Sequence, residues 1–381
     1  MNHQLTIKMS TGTRLFTPLK VGAIELSSRI AMAPLTRYRA SEDHVHQDLG
    51  KTYYAQRAAA IPGTLLITEG TIISAKAGNQ HNVPGIYTQE QIKAWKLIVD
   101  EVHKAGSYIY LQLWALGRAA EPEVLFKETG LPLKSSSAVP MEEGGVIPEE
   151  LSEEEILELI ADFGRAASAA VHQAGFDGVE IHAANGYLID QFTQDTCNKR
   201  NDKWGGSIEN RSRFALEVTK AVVDAVGKKK VGLRLSPWSS FQGMKMEDPI
   251  PQFSHLVSSL RTFGLAYLHL VESRIAGASD CNGSSGANGF AIDLWGNTSP
   301  IFLAGGFKPG SARESVDEIY KDSDIVIVFG RYFISNPDLV FKIKNGIELT
   351  GYDRSTFYAT QDPHGYIDYP YCAEYNGQTG A

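Results

Sequence analysis

The chain has few cysteines, no long hydrophobic run and no excess of basic residues, and each absence excludes a class of protein. Its three cysteines, Cys197, Cys281 and Cys372, lie far apart in 381 residues. So few cysteines exclude a disulfide framework and a cysteine-based zinc site, and they are typical of a reducing compartment. We therefore expect no metal centre.

Charge and hydropathy exclude two further kinds of partner. A formal net charge of −8 disfavours nucleic acid, because phosphate binding needs a basic surface. No apolar run approaches the roughly 18 residues of a membrane span. Residues 1–13 lack the apolar core of a signal peptide. We expect a flexible N-terminal tail over 1–13 and a cytoplasmic protein with neither a membrane nor a nucleic-acid partner.

Short apolar runs alternate with helical stretches along the whole chain. With 43% hydrophobic residues the chain can bury a large core. Short apolar runs that end in polar residues and glycine are typical of buried parallel strands. The predicted strands cover residues 29–33, 64–68, 108–113, 178–181, 231–235, 267–270, 301–304 and 325–329.

Helical periodicity is clearest in residues 152–173, where Ser152 and Glu155 form a capping box. The segments 89–104 and 210–226 have the same period. The buried stripe predicted for the helix in 152–173 is Ile156, Ile160, Phe163 and Ala167.

Eight strands with intervening helices favour an α/β fold, a single (β/α)₈ TIM barrel with capping loops. A doubly wound sheet is the alternative, but no G-x-G-x-x-G follows the first strand and no P-loop occurs. We predict one domain over residues 14–381, including a C-terminal extension after 352. The long segments 118–150 and 272–297 do not fit the repeat, and we expect them to cap the barrel as loops.

Polar residues lie at, or just after, the carboxyl ends of several predicted strands, and in a barrel these ends converge on one mouth. Residues far apart in sequence would therefore share a pocket. These polar residues are Thr36, Glu69, Gln112, His182, Arg234 and Arg331.

The segment His182 to Tyr187 carries the chemistry of greatest interest. His182 and Asn185, three residues apart, can hydrogen-bond one carbonyl oxygen and stabilise the negative charge that develops on it. Tyr187 can supply a proton. The alternative is structural, because His and Asn near strand ends also serve simply to tie loops together.

Two glycine turns after late strands predict a bound anion. Gly305-Gly306 follows the seventh strand, and Gly330-Arg331 follows the eighth. Glycines let backbone N–H groups approach a phosphate, and Arg331 adds a charge-assisted contact. Arg234, in an apolar strand, needs a buried partner, either a carboxylate such as Glu180 or an anionic part of a cofactor. With Gln112, these groups predict a pocket for a large heteroaromatic cofactor that carries a phosphate.

These residues resemble the Old Yellow Enzyme family of flavin-dependent ene-reductases. The resemblance extends from about Leu15 to Tyr375. The matching motifs are Met32 to Arg37 (MAPLTR), Gln112 to Trp114 (QLW), His182 to Tyr187 (HAANGY), Arg200 to Arg211 (RNDKWGGSIENR), Arg234 to Pro237 (RLSP), Phe329 to Arg331 (FGR) and Tyr352 to Tyr358 (YDRSTFY).

The resemblance implies a (β/α)₈ barrel that binds FMN non-covalently and uses NADPH or NADH as reductant. It places Thr36 near the flavin C4 carbonyl, Gln112 on the pyrimidine side and Arg234 near N1 and C2. Gly305, Gly306, Gly330 and Arg331 form the phosphate corner. The cofactor-binding residues implied are Pro34, Leu35, Thr36, Gly70, Gln112, Arg234, Gly305, Gly306, Gly330 and Arg331.

The implied reaction is ping-pong hydride transfer from NAD(P)H through flavin N5 to the β-carbon of an enone or enal. His182 and Asn185 hold the substrate carbonyl, and Tyr187 protonates the α-carbon. Trp114, Phe241 and Tyr358 form the apolar walls, whose aromatic faces suit a flat substrate. Phenols are expected inhibitors, because they mimic the enolate oxygen.

The sequence departs from the yeast members in carrying Gly306 where they have Asn, and its loop after Glu272 is shortened. Segments such as 62–69 and 330–339 are more similar to filamentous-fungal relatives, including the ergot-alkaloid branch that acts on chanoclavine aldehyde. In that branch Tyr at the donor position accompanies reduction and Phe an isomerase outcome, so Tyr187 indicates reduction.

Two other classes stay open on the residues alone. One is a flavin-free barrel isomerase or aldolase acting on a phosphorylated substrate, although no Lys stands at a predicted strand end as a Schiff-base enzyme requires. The other is a non-catalytic FMN-binding protein. The sequence does not separate a monomer from a homodimer.

Overall fold

Eight parallel strands close into a barrel at the centre of the molecule. The computed structural model describes residues 12–277, 279–280 and 286–379. Each strand pairs in parallel with its neighbours, and the eighth strand pairs with the first to close the ring. The strands are β1 (Ile30–Met32), β2 (Leu65–Ile72), β3 (Tyr108–Trp114), β4 (Gly178–His182), β5 (Val231–Leu235), β6 (Tyr267–Val271), β7 (Ile301–Ala304) and β8 (Ile325–Phe329).

A helix follows each strand and packs its apolar face on the outside of the barrel. The predicted (β/α)₈ fold is therefore confirmed. The helices are α1 (Asp48–Ala59), α2 (Gln89–Lys104), α3 (Glu153–Ser168), α4 (Ile208–Val226), α5 (Ile250–Arg261), α6 (Gly289–Trp295), α7 (Pro309–Glu314) and α8 (Leu339–Asn345).

The predicted element bounds hold with small differences. Strand β2 continues to Ile72, because a register shift between Ile67 and Gly70 lets pairing with β3 resume. The capping box of Ser152 and Glu155 is confirmed, and α3 continues as a π-helical turn over Ala169–Ala174. Ile160, predicted to be buried, is only half-buried, and Leu159 packs in the core in its place.

The N-terminal end of the barrel is closed by a hairpin that the sequence did not predict. Its strands are Leu19–Val21 and Ile24–Leu26, joined at Gly22 with φ 56°. A Cβ at Gly22 would lie 2.1 Å from the Lys229 carbonyl oxygen, so only glycine fits this turn. The hairpin packs on aromatic rings inside the barrel and leaves the opposite end open.

The two segments expected as loops contain regular structure, so that expectation was wrong in part. Segment 118–150 contains the helix Pro122–Thr129 and the paired strands Lys134–Ser135 and Glu149–Glu150. Segment 272–297 contains the hairpin Ile275–Ala276 with Ser279–Asp280, and then α6. Local pairing over two residues leaves too little pattern to be read from sequence.

The remaining elements are short, and residues 1–11 of the predicted tail lie outside the described residues. Within the described ranges, no helix has the length and apolarity to cross a membrane, and no group of His, Cys, Asp or Glu is arranged to hold a metal. The short elements are Arg14–Phe16, Ala75–Ala77, Gly117–Ala119, Leu188–Thr193, Lys228–Lys230, Phe241–Gly243, Ser315–Ile319, Arg331–Ser335, Arg354–Thr356 and Ala373–Thr379.

Candidate active site

A cavity of roughly 570 Å³ opens at the carboxyl ends of the barrel strands. That volume lies in the range of small-molecule and cofactor pockets. The cofactor-binding, catalytic and wall residues that the family resemblance implies all line it: Pro34, Leu35, Thr36, Gly70, Gln112, Trp114, His182, Asn185, Tyr187, Arg234, Phe241, Gly305, Gly306, Gly330, Arg331 and Tyr358.

Glu69, one of the polar residues predicted at the mouth, does not reach it. Its side chain is fully buried, and it accepts hydrogen bonds from His46 Nε2 at 3.0 Å and from the Tyr54 hydroxyl at 3.3 Å. The bulge in β2 brings Gly70 to the cavity in its place. A Cβ at Gly70 would lie 2.8 Å from the Trp114 ring, so glycine here makes room for that indole.

His182 at the end of β4, and Asn185 and Tyr187 in the turn that follows, all line the cavity. Asn185 has φ 58°, a left-handed conformation that Asn tolerates better than most residues. Its backbone N–H donates to Ser236 Oγ at 2.7 Å, so the end of β5 fixes the turn. His182 Nδ1 has no hydrogen-bond partner among the described residues, although it is buried.

Three rings form a tight aromatic group on this side of the cavity. The Tyr187 ring lies edge-on to Trp114, with centroids 4.9 Å apart, and edge-on to His182 at 4.8 Å. Edge-to-face packing is favourable and restricts ring rotation. The phenol of Tyr187 is therefore held at a defined place beside the imidazole.

Burial shifts the pKa values of His182 and Tyr187. It lowers the pKa of the His182 imidazole well below its usual value, and the charge of Arg234 lowers it further. The ring is therefore neutral at pH 7 and can donate one hydrogen bond. Burial also raises the pKa of the Tyr187 phenol above its ordinary value, which keeps its proton in place.

A second layer of hydrogen bonds holds this turn against the capping segment. Gln191 is fully buried, and its Nε2 donates to the Gly186 carbonyl at 2.7 Å and to the Leu116 carbonyl at 2.9 Å. The Arg118 guanidinium donates to the carbonyls of Pro140 and Gln242, both at 3.0 Å. These contacts tie segment 118–150 to the turn that carries Phe241.

Polar side chains from adjacent strands form the cavity floor. Gln112 Nε2 donates to Glu180 Oε1 at 2.7 Å, deep in the barrel. Arg234 was expected to pair with a carboxylate such as Glu180. The two charges attract each other, but within the described residues Arg234 Nε has no hydrogen-bond partner.

The residues predicted to bind a phosphate lie together in the lining of the cavity. Gly306 has φ 61°, a conformation that favours glycine. Arg331 lies beside it and makes a bidentate ion pair with Asp280, at 2.7 and 2.8 Å. The hydrogen bonds from Arg331 lower the pKa of Asp280, so this corner holds a carboxylate in a place suited to an anion.

Sequence reasoning missed several residues that line the cavity. Tyr352 and Phe357 line it from the C-terminal extension, and their signal was the motif 352–358, to which only one wall residue was assigned. Asp280 had no recognisable signal. Lys308 also lines the cavity, although no Lys was expected near a strand end. Its side chain is exposed, whereas a Schiff-base lysine is normally desolvated.

The family described as NADH:flavin oxidoreductase / NADH oxidase matches residues 14–350 of the chain. The chain belongs to this family. The chanoclavine-I aldehyde reductase of Penicillium roqueforti is 57% identical over 363 residues, which cover 95% of this chain and 98% of that protein. A probable inactive reductase of Epichloe festucae var. lolii is 54% identical over 372 residues, or 96% of this chain and 97% of that protein.

Solved structures agree with this assignment. The crystal structure of Old Yellow Enzyme from a Pichia species has a TM-score of 0.87 at 41% identity and covers 95% of this chain and 94% of that chain. The resemblance to the Old Yellow Enzyme family, including its fungal aldehyde reductases, is confirmed. As a family member the protein is an NAD(P)H-dependent oxidoreductase with FMN as cofactor.

The cavity residues fit FMN. Arg234 lines the cavity, and its buried Nε has no hydrogen-bond partner among the described residues, so a neutral apolar ligand would leave this guanidinium unsatisfied. A Cβ on Gly330 would lie 3.3 Å from Leu35, so glycine keeps the passage beside the phosphate corner open. The glycines and Arg331 on one side of the cavity match a phosphate. The amide of Gln112 and the guanidinium of Arg234 on the other side match a polar ring edge.

Proposed function

We propose that the protein is an FMN-dependent ene-reductase that reduces the C=C bond of α,β-unsaturated aldehydes and ketones. The observation that carries this proposal is the convergence of Tyr187, His182 and Asn185 on one wall of the cavity. When bound, FMN supplies the hydride chemistry, accepting hydride from NAD(P)H and delivering it to the β-carbon of the substrate.

The cofactor would be held by groups on, or just after, five of the eight strands: β1, β3, β5, β7 and β8. Thr36 and Gln112 would contact the polar ring edge, and Arg234 would place a positive charge beside it. Gly305, Gly306, Gly330 and Arg331 would bind the phosphate. Arg331 would then exchange its Asp280 partner for the phosphate, since both anions need the same guanidinium face.

His182 and Asn185 would hydrogen-bond the substrate carbonyl and stabilise the negative charge that develops on its oxygen. A neutral imidazole suits this role, because it donates without a proton transfer. Tyr187 would give its proton to the α-carbon. Its raised pKa keeps the phenol protonated at neutral and mildly alkaline pH.

Trp114, Phe241 and Tyr358 would form the walls against a flat substrate. Phe241 is 37% exposed and Tyr358 is 50% exposed, so both rings keep apolar surface for a ligand to cover. Phenols would compete with the substrate by placing their oxygen between His182 and Asn185.

A secondary-metabolite aldehyde is the favoured natural substrate, because the Penicillium relative is a chanoclavine-I aldehyde reductase. The Epichloe relative is described as a probable inactive reductase, so membership alone does not fix the outcome. The alternative in this family is isomerisation of the same aldehyde. Tyr187 favours net reduction over isomerisation.

The test combines absorption with product stoichiometry. The purified protein should absorb near 450 nm and release FMN on denaturation. Incubation with NADPH or NADH and with 2-cyclohexenone, cinnamaldehyde or chanoclavine-I aldehyde should oxidise one coenzyme for each alkene reduced. Product without coenzyme oxidation would indicate the isomerase. An FMN-loaded protein that reduces none of these compounds would refute the proposed reaction.

The exposure of Lys308 argues against a flavin-free aldolase. The presence of His182, Asn185 and Tyr187 together in the cavity argues against a non-catalytic FMN-binding protein. A cytoplasmic location and a monomeric or homodimeric state stay predictions from the sequence. The boundary between a tail over residues 1–13 and a single domain over residues 14–381 also stays a prediction.

A further inference from the structure

A closed hydrogen-bond network lies beneath the cavity floor, around the carboxylate of Glu180. Glu180 is fully buried on β4. Its Oε1 accepts from Gln112 Nε2 at 2.7 Å. Its Oε2 accepts from the Tyr267 hydroxyl at 3.0 Å and lies 2.8 Å from His269 Nδ1. The network therefore joins β3, β4 and β6 through one buried charge.

The network fixes which end of the Gln112 amide faces the cavity. A carboxylate can only accept hydrogen bonds, so Gln112 must present its NH₂ group to Glu180. Its carbonyl oxygen is then the end left for a ligand, and Gln112 lines the cavity. The floor consequently offers an acceptor at this position.

Arg234 offers a donor beside that acceptor. On β5 its Cα pairs in register with His182 on one side and His269 on the other. Burial lowers the pKa of Arg234, and the negative charge of Glu180 is the largest opposing influence. Glu180 thus compensates the Arg234 charge without occupying its Nε, which has no partner within the described ranges.

The carboxylate is ionised even though it is buried. Burial raises the pKa of Glu180, but the interactions with His269, Arg234 and Gln112 outweigh that effect and leave the pKa below its usual range. Burial also lowers the pKa of His269, so its ring is neutral and donates through Nδ1. The charges beneath the floor are therefore one carboxylate and one guanidinium.

We propose that Glu180 is a positioning residue that lowers the reduction potential of bound FMN, by orienting Gln112 and by compensating the charge of Arg234. An uncompensated guanidinium beside the ring edge would stabilise the more electron-rich reduced cofactor. The Glu180 carboxylate weakens that field. The inference rests on FMN binding but not on which alkene is reduced, so it can fail or hold independently of the proposed substrate.

The test measures the two-electron reduction potential of FMN in the holoenzyme by dye equilibration. Glu180→Gln removes the charge, and its amide oxygen can still accept from Gln112. We expect reduced FMN to gain at least tenfold in affinity relative to oxidised FMN, a shift of about 30 mV to more positive potential. A potential equal to that of the parent protein would overturn the proposal.

Tyr267→Phe provides a second variant with the opposite expected sign. It keeps the ring that stacks on Phe302 at 4.0 Å and the carboxylate of Glu180, but deletes a hydrogen bond that disperses the negative charge. The potential should become more negative. This variant decides the question even if Glu180→Gln does not fold, and an unchanged or more positive potential would contradict the role of Glu180.

Glu69→Gln is the matched control. Glu69 is also fully buried and bonded to a histidine and a tyrosine, but it is not among the charges that influence Arg234. Its loss should move the potential much less than Glu180→Gln. An equal shift would mean that the potential responds to any buried carboxylate, and the specific role would be wrong.

Discussion

The Gly186 amide donates a hydrogen bond to Asp190 Oδ2 at 2.9 Å across one turn of backbone. This contact connects the turn of Asn185 and Tyr187 to a carboxylate that is fully buried. Gln194 Nε2 donates to the other oxygen at 2.8 Å. Burial nevertheless raises the pKa of Asp190 to about 7, so it titrates near neutral pH.

Asp190→Asn should change the pH dependence of stability. Between pH 4 and 7 the folded protein binds a proton at Asp190 that the unfolded chain has released, so the free energy of unfolding falls as pH rises. The shift from 3.8 to about 7 corresponds to at most about 4 kcal/mol. The variant should lack this fall in urea unfolding measured from pH 4.5 to 8.

Asp202→Asn is the control, because Asp202 titrates below the measured pH range and its loss should leave the fall between pH 4.5 and 8 in place. Hydrogen bonds from Arg200 lower the pKa of Asp202, so this group stabilises the fold above its ordinary pKa and loses that effect in acid. If the free energy of unfolding changes with pH in the same way in the parent and in Asp190→Asn, Asp190 does not titrate between pH 4.5 and 8.

Tyr187→Phe should slow alkene reduction by about 10²- to 10⁴-fold, the usual contribution of a general acid. Reduction of the flavin by NADPH should stay near normal, because the phenol has no part in that step. Stopped-flow absorption separates the two half-reactions. Since the pKa of Tyr187 is raised, alkene reduction should also persist through pH 9 to 10 without loss of the proton donor. If the variant and the parent protein have the same rates in both half-reactions, Tyr187 is not the proton donor.

Replacing His182 and Asn185 should weaken phenol binding. His182→Ala with Asn185→Gly removes both donors, and glycine accepts the φ of 58° at position 185. Hydrogen bonds to a charged oxygen contribute about 1.5–3 kcal/mol each, so affinity should fall at least tenfold. The long-wavelength band of the phenol complex measures it. Tyr187→Phe, which keeps both donors, should retain the band; its persistence in the double variant would contradict the oxyanion assignment.

Gly186→Ala should displace the catalytic turn. Gly186 has φ 76°, and a Cβ there would lie 2.8 Å from Gln242 Cβ and 2.9 Å from Met244 Cγ. We expect about 1–2 kcal/mol of backbone strain plus the cost of the clash. The thermal unfolding temperature and the rate of the alkene half-reaction should both fall.

Gly130→Ala is the matched control for that variant. Gly130 has φ 71°, and nothing lies within 4 Å of its Cβ position. It carries the same backbone strain without the clash and lies away from the cavity lining. Equal losses in both variants would mean that strain alone, and not displacement of the turn, accounts for the effect.

Much of the barrel and its mouth could be predicted from residue patterns. The runs over β5, β7 and β8 matched their predicted bounds, because apolar strands that end in glycine or polar residues leave a strong local signal. Position after a strand also brought His182, Arg234 and Arg331 to one cavity, since parallel strands all end on the same side.

Other features depend on neighbours distant in the chain. Gln112 and Glu180 are 68 residues apart, and only the pairing of β3 with β4 brings them into contact. Glu69 was expected at the mouth, but a bulge turned it to His46. Asp280 meets Arg331 through a two-residue hairpin with no readable pattern.

The sequence by itself determined the fold class, the family and the identity of the residues at the barrel mouth, because these follow from local periodicity and strand ends. Only the tertiary structure decided which of those groups are charged and which way they face. Burial is the first cause of the pKa shifts of Asp190 and His182 and opposes the shift of Glu180, and this burial arises from packing between elements that lie far apart in sequence.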